Sequence, residues 1–158
     1  MNAETAPAPA AHDHQDCIAQ ALDRADALCA GSGRRLTALR RRVLREVWRG
    51  HDAVKAYEIL ARLRPRHRAA KPPTVYRALQ FLLEEGLVHR LESLNAFVGC
   101  AAPRRSHQGQ FFICRACGRV REIHAGRIGR AVSAVAAGER FTVERQMVEV
   151  LGVCDRCR

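Results

Sequence analysis

Two Cys-x-x-Cys pairs, Cys114/Cys117 and Cys154/Cys157, lie in the C-terminal half of the chain with a compact stretch between them. Four thiolates complete a closed tetrahedral zinc site, which contributes folding free energy and leaves no coordination position open for catalysis. A redox dithiol is the competing chemistry, and it would demand a reactive thiol of low pKa. A second, chemically different set is spread through the middle of the chain: His89, Cys100, His107 and Glu122. Nitrogen, sulfur and oxygen ligands in tetrahedral geometry suit Zn²⁺, whereas Fe²⁺ and Mn²⁺ favour harder ligands and more of them.

The elements that must position these residues can be read from periodicity. Leu87 to Glu92 and Ala96 to Cys100 are expected to be two short strands around Ser93-Leu94-Asn95. With Leu94-Asn95 as a two-residue turn, His89 falls opposite Cys100, at a separation from which imidazole and thiolate can share one metal. Beyond a linker at 101–106, a strand from Gln110 to Ile113 runs into the first cysteine pair, and Val120 to Ile123 returns. A helix over Arg127 to Ala137 ends at Gly138, and a strand over Thr142 to Val150 closes on the second pair.

The N-terminal half reads as helices. Residues 1–13 are Ala/Pro-rich without periodicity and are expected to form a disordered tail. Ile18, Ala21, Leu22, Ala25 and Leu28 recur at helical spacing up to Gly31-Ser32-Gly33. Cys17 and Cys29 on that helix read as small buried hydrophobes. Thr37 suits the N-cap of a second helix through Arg49, and a third follows over Lys55 to Leu63. A fourth opens at Pro72-Pro73 and stops at Gly86, burying Val75, Ala78, Leu79 and Leu82 and presenting Tyr76, Arg77, Gln80 and Glu84 together. A guanidinium for guanine, an amide for adenine and an aromatic edge for thymine methyls are what a major-groove reader carries. An ordinary amphipathic helix also has a polar face.

The 158 residues are 47% hydrophobic and carry a formal net charge of +11, with Arg34, Arg35, Arg40, Arg41, Arg42 and Arg45 clustered beside the second helix. Such a field attracts polyanions, nucleic acid first. No apolar run approaches a membrane span and the N-terminus lacks a signal peptide, so the chain is expected in the cytoplasm, without a membrane partner. In that reducing compartment seven cysteines argue for metal over a disulfide framework.

The stretch from Lys71-Pro72-Pro73-Thr74-Val75-Tyr76-Arg77-Ala78-Leu79 through Phe81-Leu82-Leu83-Glu84-Glu85-Gly86-Leu87-Val88-His89, then Glu92-Ser93 and Asn95, resembles the ferric uptake regulator family, and most of all its zinc uptake regulator branch. The likeness extends from Arg35-Leu36-Thr37 to the final Cys-x-x-Cys. It implies an α+β chain with a winged-helix DNA-binding domain over 14–100 and a small dimerisation domain over 107–158. It also implies a homodimeric repressor that binds a palindromic operator when zinc-loaded and shuts off zinc-uptake genes. The family's structural zinc falls on Cys114, Cys117, Cys154 and Cys157, and the branch's regulatory zinc on His89, Cys100, His107 and Glu122, two ions per chain. Tyr57 and Arg77 match base-contacting positions, and Thr74 and Tyr76 belong to the same signature; Gln80 and Arg42 complete the expected DNA-contacting set. Gln108-Gly109-Gln110 replaces the His-rich run of the iron-sensing members, and Ala53-Val54 replaces another of their ligands, leaving His51 and His67 as ordinary surface residues.

No enzymatic activity and no small-molecule substrate beyond a metal ion are expected, since four protein ligands leave a zinc hydrolase no open position. Sensing of iron, manganese or peroxide is the alternative within the family. A zinc-ribbon RNA-binding protein would account for the charge and the cysteines but not for His89 and Cys100.

Overall fold

The structure is a computed structural model that describes residues 14–50, 52–65, 67–68, 70–103 and 109–158. These divide into two compact units. The expected tail at 1–13, His51 and residues 104–106 of the expected linker lie outside the described residues.

The first unit is a winged helix. Helix α1 (His14–Gly31) leads to α2 (Ala38–Val47), α3 (Ala56–Leu63) and α4 (Pro72–Glu84), then to strands β1 (Val88–Leu91) and β2 (Ala96–Gly99). Helices α2, α3 and α4 begin for local reasons. The Thr37 hydroxyl accepts the Arg40 N–H at 3.4 Å, and the Glu58 carboxylate accepts the Lys55 N–H at 2.8 Å at the start of α3; an N-cap of this kind is worth about 1 kcal/mol. Two prolines open α4. It closes in a left-handed turn at Gly86 (φ +67°), with Leu87 N–H on Leu82 O at 2.9 Å and Gly86 N–H on Leu83 O at 3.0 Å.

The apolar faces converge on one core. Ile18, Leu22 and Ala25 of α1, Val43, Leu44 and Val47 of α2, Ile59 and Leu63 of α3, and Val75, Leu79 and Leu82 of α4 are all buried together. Phe81 joins them, although the sequence reading left it out of the stripe, because the guanidiniums of Arg34 and Arg40 cover its ring at 5.0 and 3.5 Å. Each fully buried aliphatic side chain contributes about 1.5–3 kcal/mol. Cys29 is buried here as expected, and burial pushes its thiol above the ordinary range.

The wing departs from the expected register. Leu91 pairs with Ala96 and His89 with Val98, so four residues, Glu92 to Asn95, form the loop in place of two. Leu94-Asn95 lacks the two positive-φ residues that a two-residue turn of this kind prefers. Instead Asn95 alone takes φ +46°, and its N–H closes on Glu92 O at 3.2 Å. A separate bridge between Val54 and Phe97 fastens the segment before α3 to β2.

The second unit contains β3 (Gly109–Cys114), β4 (Val120–Glu122), α5 (Gly126–Gly138) and β5 (Met147–Gly152), with sheet order β4-β3-β5. β3 pairs antiparallel with β4 and parallel with β5, which α5 makes possible by carrying the chain back to the starting end. The last strand begins at Met147, five residues later than the alternation from Thr142 suggested. Helix α5 continues to Gly138 as expected, but the left-handed residue that stops it is Arg140 (φ +56°), with Phe141 N–H on Ala136 O at 2.8 Å. Among the described residues no helix is long and apolar enough to cross a membrane.

Candidate metal centre and nucleic-acid interface

The parallel pairing of β3 and β5 sets Cys114 opposite Gly152, so both strands run out at the same end of the sheet. The chain after β3 turns back at once, with Gly118 (φ +73°) donating its N–H to Cys114 O at 2.9 Å. Arg115 N–H bonds Gly152 O at 2.9 Å, tying this turn to the end of β5. Two residues further along, Cys154 N–H points at the Cys114 sulfur at 3.4 Å, and Cys157 N–H closes on Cys154 O at 3.0 Å. All four sulfurs, of Cys114, Cys117, Cys154 and Cys157, lie within 4.8 Å of one another.

Cys117 and Cys154 are 3.8 Å apart, sulfur to sulfur. Ligands about 2.3 Å from a tetrahedral ion stand about 3.8 Å from each other, so the donor set fits zinc. A disulfide would need about 2.05 Å. The Cys114 thiol is drawn down to about 6, first by the Cys154 N–H and then by the Cys117 N–H, both of which favour the thiolate. Cys157 is pushed up to about 12 by the neighbouring sulfurs, Cys154 first. Backbone donors thus prepare one sulfur as an anion while the crowding of sulfurs resists ionising another, a balance that a divalent cation would resolve. Arg115, Arg156 and Arg158 beside these ligands in sequence are exposed.

The second set is built on the wing. His89 lies on β1 and Cys100 follows β2 directly; both are buried, and their ligand atoms are within 4.8 Å of each other. They are not directly opposed as expected. Cys100 faces Leu87, whose carbonyl accepts its N–H at 3.0 Å, while His89 faces Val98. A shift of two residues keeps the same face, because side chains alternate with period two, so His89 and Cys100 become diagonal neighbours within reach of each other. Glu122 ends β4 in the other unit, opposite Phe111, and is half-buried. His107 lies outside the described residues.

On α4, Tyr76, Arg77 and Gln80 are exposed and Thr74 is half-buried; Tyr57 on α3 is 65% exposed and Tyr76 57%. Tyrosine rings left that far in water contribute little to the core. A cleft of about 470 Å³ joins Tyr57, Tyr76 and Gln80 to Lys55, Arg90 and Asn95. The sequence reading missed the last three. Lys55 precedes α3 and Arg90 and Asn95 belong to the wing, so no single amphipathic stretch marks them as one surface.

Gln80 is held in place. Its amide nitrogen donates to Glu84 at 3.2 Å, and Glu84 accepts in turn from Arg34 at 2.9 Å. The Arg34 hydrogen bond, then that of Gln80, holds the Glu84 carboxyl below its usual range. The arginine cluster is likewise divided by the fold. Arg34 and Arg40 cover Phe81, and Arg41 pairs with Asp26 of α1, whereas Arg35, Arg42 and Arg45 are exposed.

The ferric uptake regulator family matches residues 31–151. The zinc uptake regulation protein of Escherichia coli K12 is 40% identical over 137 residues, 86% of this chain and 80% of that protein. The zinc uptake regulation protein of Mycobacterium tuberculosis is 30% identical over 109 residues, 68% of this chain and 82% of that one. A solved zinc uptake regulator complexed with zinc and DNA superposes with a TM-score of 0.83 at 38% identity, covering 93% of this chain and 96% of the other. The chain belongs to the ferric uptake regulator family, whose members are transcription regulators and not enzymes, and within it is most like the zinc uptake regulator branch.

Proposed function

We propose that this chain is a cytoplasmic, zinc-responsive repressor that binds palindromic operators as a zinc-loaded homodimer and represses zinc-uptake genes. Cys114, Cys117, Cys154 and Cys157 hold a structural zinc, and His89, Cys100, His107 and Glu122 hold a regulatory one. Tyr57, Tyr76, Arg77 and Gln80 meet base edges, Thr74 contacts the same DNA, and Arg42 meets phosphate. Bound zinc supplies charge and a rigid tetrahedral junction, with no redox or acid–base step.

The observation that carries the reading is the buried His89–Cys100 pair on the wing of a unit that presents tyrosines and arginine on α3 and α4. A ligand shifts an equilibrium only through its differential affinity for the two states, so zinc must bind the DNA-competent form more tightly, and DNA must in turn tighten zinc. The second unit supports self-association: Val132, Val135 and Phe141 are exposed, and Val150 and Leu151 lie exposed on β5, an edge strand of the sheet. An exposed apolar edge strand is a surface that proteins otherwise cover.

Operator binding titrated against buffered free zinc tests the proposal, together with metal content after gentle purification. The parent should carry two zinc ions per chain and bind DNA only in zinc. Cys100→Ser should keep the fold, the dimer and one zinc, yet lose zinc-dependent operator affinity. Unchanged zinc response in Cys100→Ser would place the sensor elsewhere.

A further inference from the structure

Cys100 occupies a position that no regular element secures. Strand β2 ends at Gly99, and Cys100 N–H bonds Leu87 O at 3.0 Å just beyond it. A metal ligand there needs other restraints, and the fold places one on each side of it. Before it, the Trp48 indole lies against Gly99 so closely that a Cβ on Gly99 would overlap the ring, with Cδ2 at 2.8 Å and Cε2 and Nε1 nearer still. After it, the Arg24 guanidinium donates to Ala101 O at 2.8 Å.

Both restraints are themselves anchored. Trp48 is the C-cap of α2, with its N–H on Leu44 O at 3.0 Å and its ring packed against the core. Arg24 projects from α1 and its second nitrogen is held by Gln20 Oε1 at 3.0 Å. The two helices therefore grip the backbone on either side of one sulfur, from positions 77 residues away in the case of Arg24.

We infer that Trp48 and Arg24 are positioning residues for the Cys100 sulfur and set the affinity of the wing for zinc, an inference that rests on the regulatory role proposed for Cys100. A ligand already fixed in its bound geometry loses less conformational freedom when metal arrives, and the residues that orient ligands typically change metal affinity when removed. Gly99 is then required for its lack of a side chain, because any Cβ would drive either the ring or the sulfur-bearing backbone out of place. The same contact makes Trp48, the one tryptophan of the chain, a built-in reporter of that sulfur.

The test is a zinc titration of the full-length chain against a competing chelator, with Trp48 emission followed in parallel. In the parent the second equivalent of zinc should change the emission, and in Cys100→Ser it should not. Gly99→Ala should weaken the second zinc by about tenfold or more while retaining the first. Trp48→Leu, which removes the indole but leaves Gly99 unhindered, should weaken the second zinc in the same way while retaining the first. Arg24→Met should weaken the same zinc without touching the core, and decides the matter if Gly99→Ala fails to fold. Parental affinity in Gly99→Ala and Arg24→Met would overturn the inference and leave the proposed function standing. A parent that takes only one zinc per chain would overturn both.

Discussion

Cys114 and Gly152 face each other across the parallel strands β3 and β5, and this pairing brings Cys154 N–H to the sulfur of a residue 40 positions earlier. The four-cysteine cluster is a product of strand direction as much as of spacing. Had β5 run antiparallel to β3, its trailing cysteines would have emerged at the far end of the sheet. The metal site and the sheet therefore depend on each other.

Cys114→Ser removes a thiolate ligand and leaves a neutral hydroxyl where the Cys154 N–H meets the sulfur. The expected result is loss of one zinc per chain and a much lower unfolding temperature of the second unit, since metal binding and folding share one free energy there. Calorimetry beside metal analysis checks it. A well-folded Cys114→Ser protein that still responds to zinc would remove the structural role.

With metal stripped, acidification should weaken this unit further. The Cys114 thiol sits near 6 in the folded chain against an ordinary 9, so the folded form favours the thiolate. Its contribution is fully present above about pH 9 and is lost as pH falls through about 6. Urea unfolding of the chelated protein across that window should show a falling midpoint, and Cys114→Ser should flatten it.

Arg77→Ala should relax preference at one operator position by about 1–3 kcal/mol, while Arg42→Ala should weaken all duplexes alike and lower the salt slope by about one unit. Binding to operator and random duplex over a salt series separates the two. An unchanged specificity ratio in Arg77→Ala would displace the reading from α4.

Arg34 bridges Glu84 at 2.9 Å and Glu85 at 3.1 Å, and stacks on Phe81. The Glu84 pair is about half exposed on both sides and should contribute little, whereas Glu85 is only 10% exposed. Truncating Arg34 to alanine should cost about 1–2 kcal/mol in denaturant unfolding, from the lost stacking and the lost ion pair to Glu85, which keeps only the Ser32 hydroxyl at 3.2 Å. A loss confined to a few tenths would mean that solvent already compensates Glu85.

Arg140→Gly should stabilise the second unit by about 1 kcal/mol, because Arg140 holds a left-handed conformation that only glycine adopts without steric cost. Thermal unfolding of the zinc-loaded protein measures it directly.

The sequence by itself determined whatever depends on neighbours along the chain. Thr37, Pro72-Pro73 and Gly86 mark helix ends through hydrogen bonds and φ values confined to a few residues, so α2 and α4 lie where those residues put them. The Cys-x-x-Cys spacing is equally local, and four thiolates admit few other uses. What only the tertiary structure decided depends on partners distant in sequence. The hairpin register moved by two residues because Leu94-Asn95 does not supply the two positive-φ positions of a two-residue turn; His89 and Cys100 are therefore not opposed as expected, and stay within reach only because a shift of two preserves the face. The parallel partner of β3, the division of the arginines between Phe81, Asp26 and solvent, and the placement of Trp48 on Gly99 leave no periodic trace, since each joins elements that the chain brings together only when the core closes.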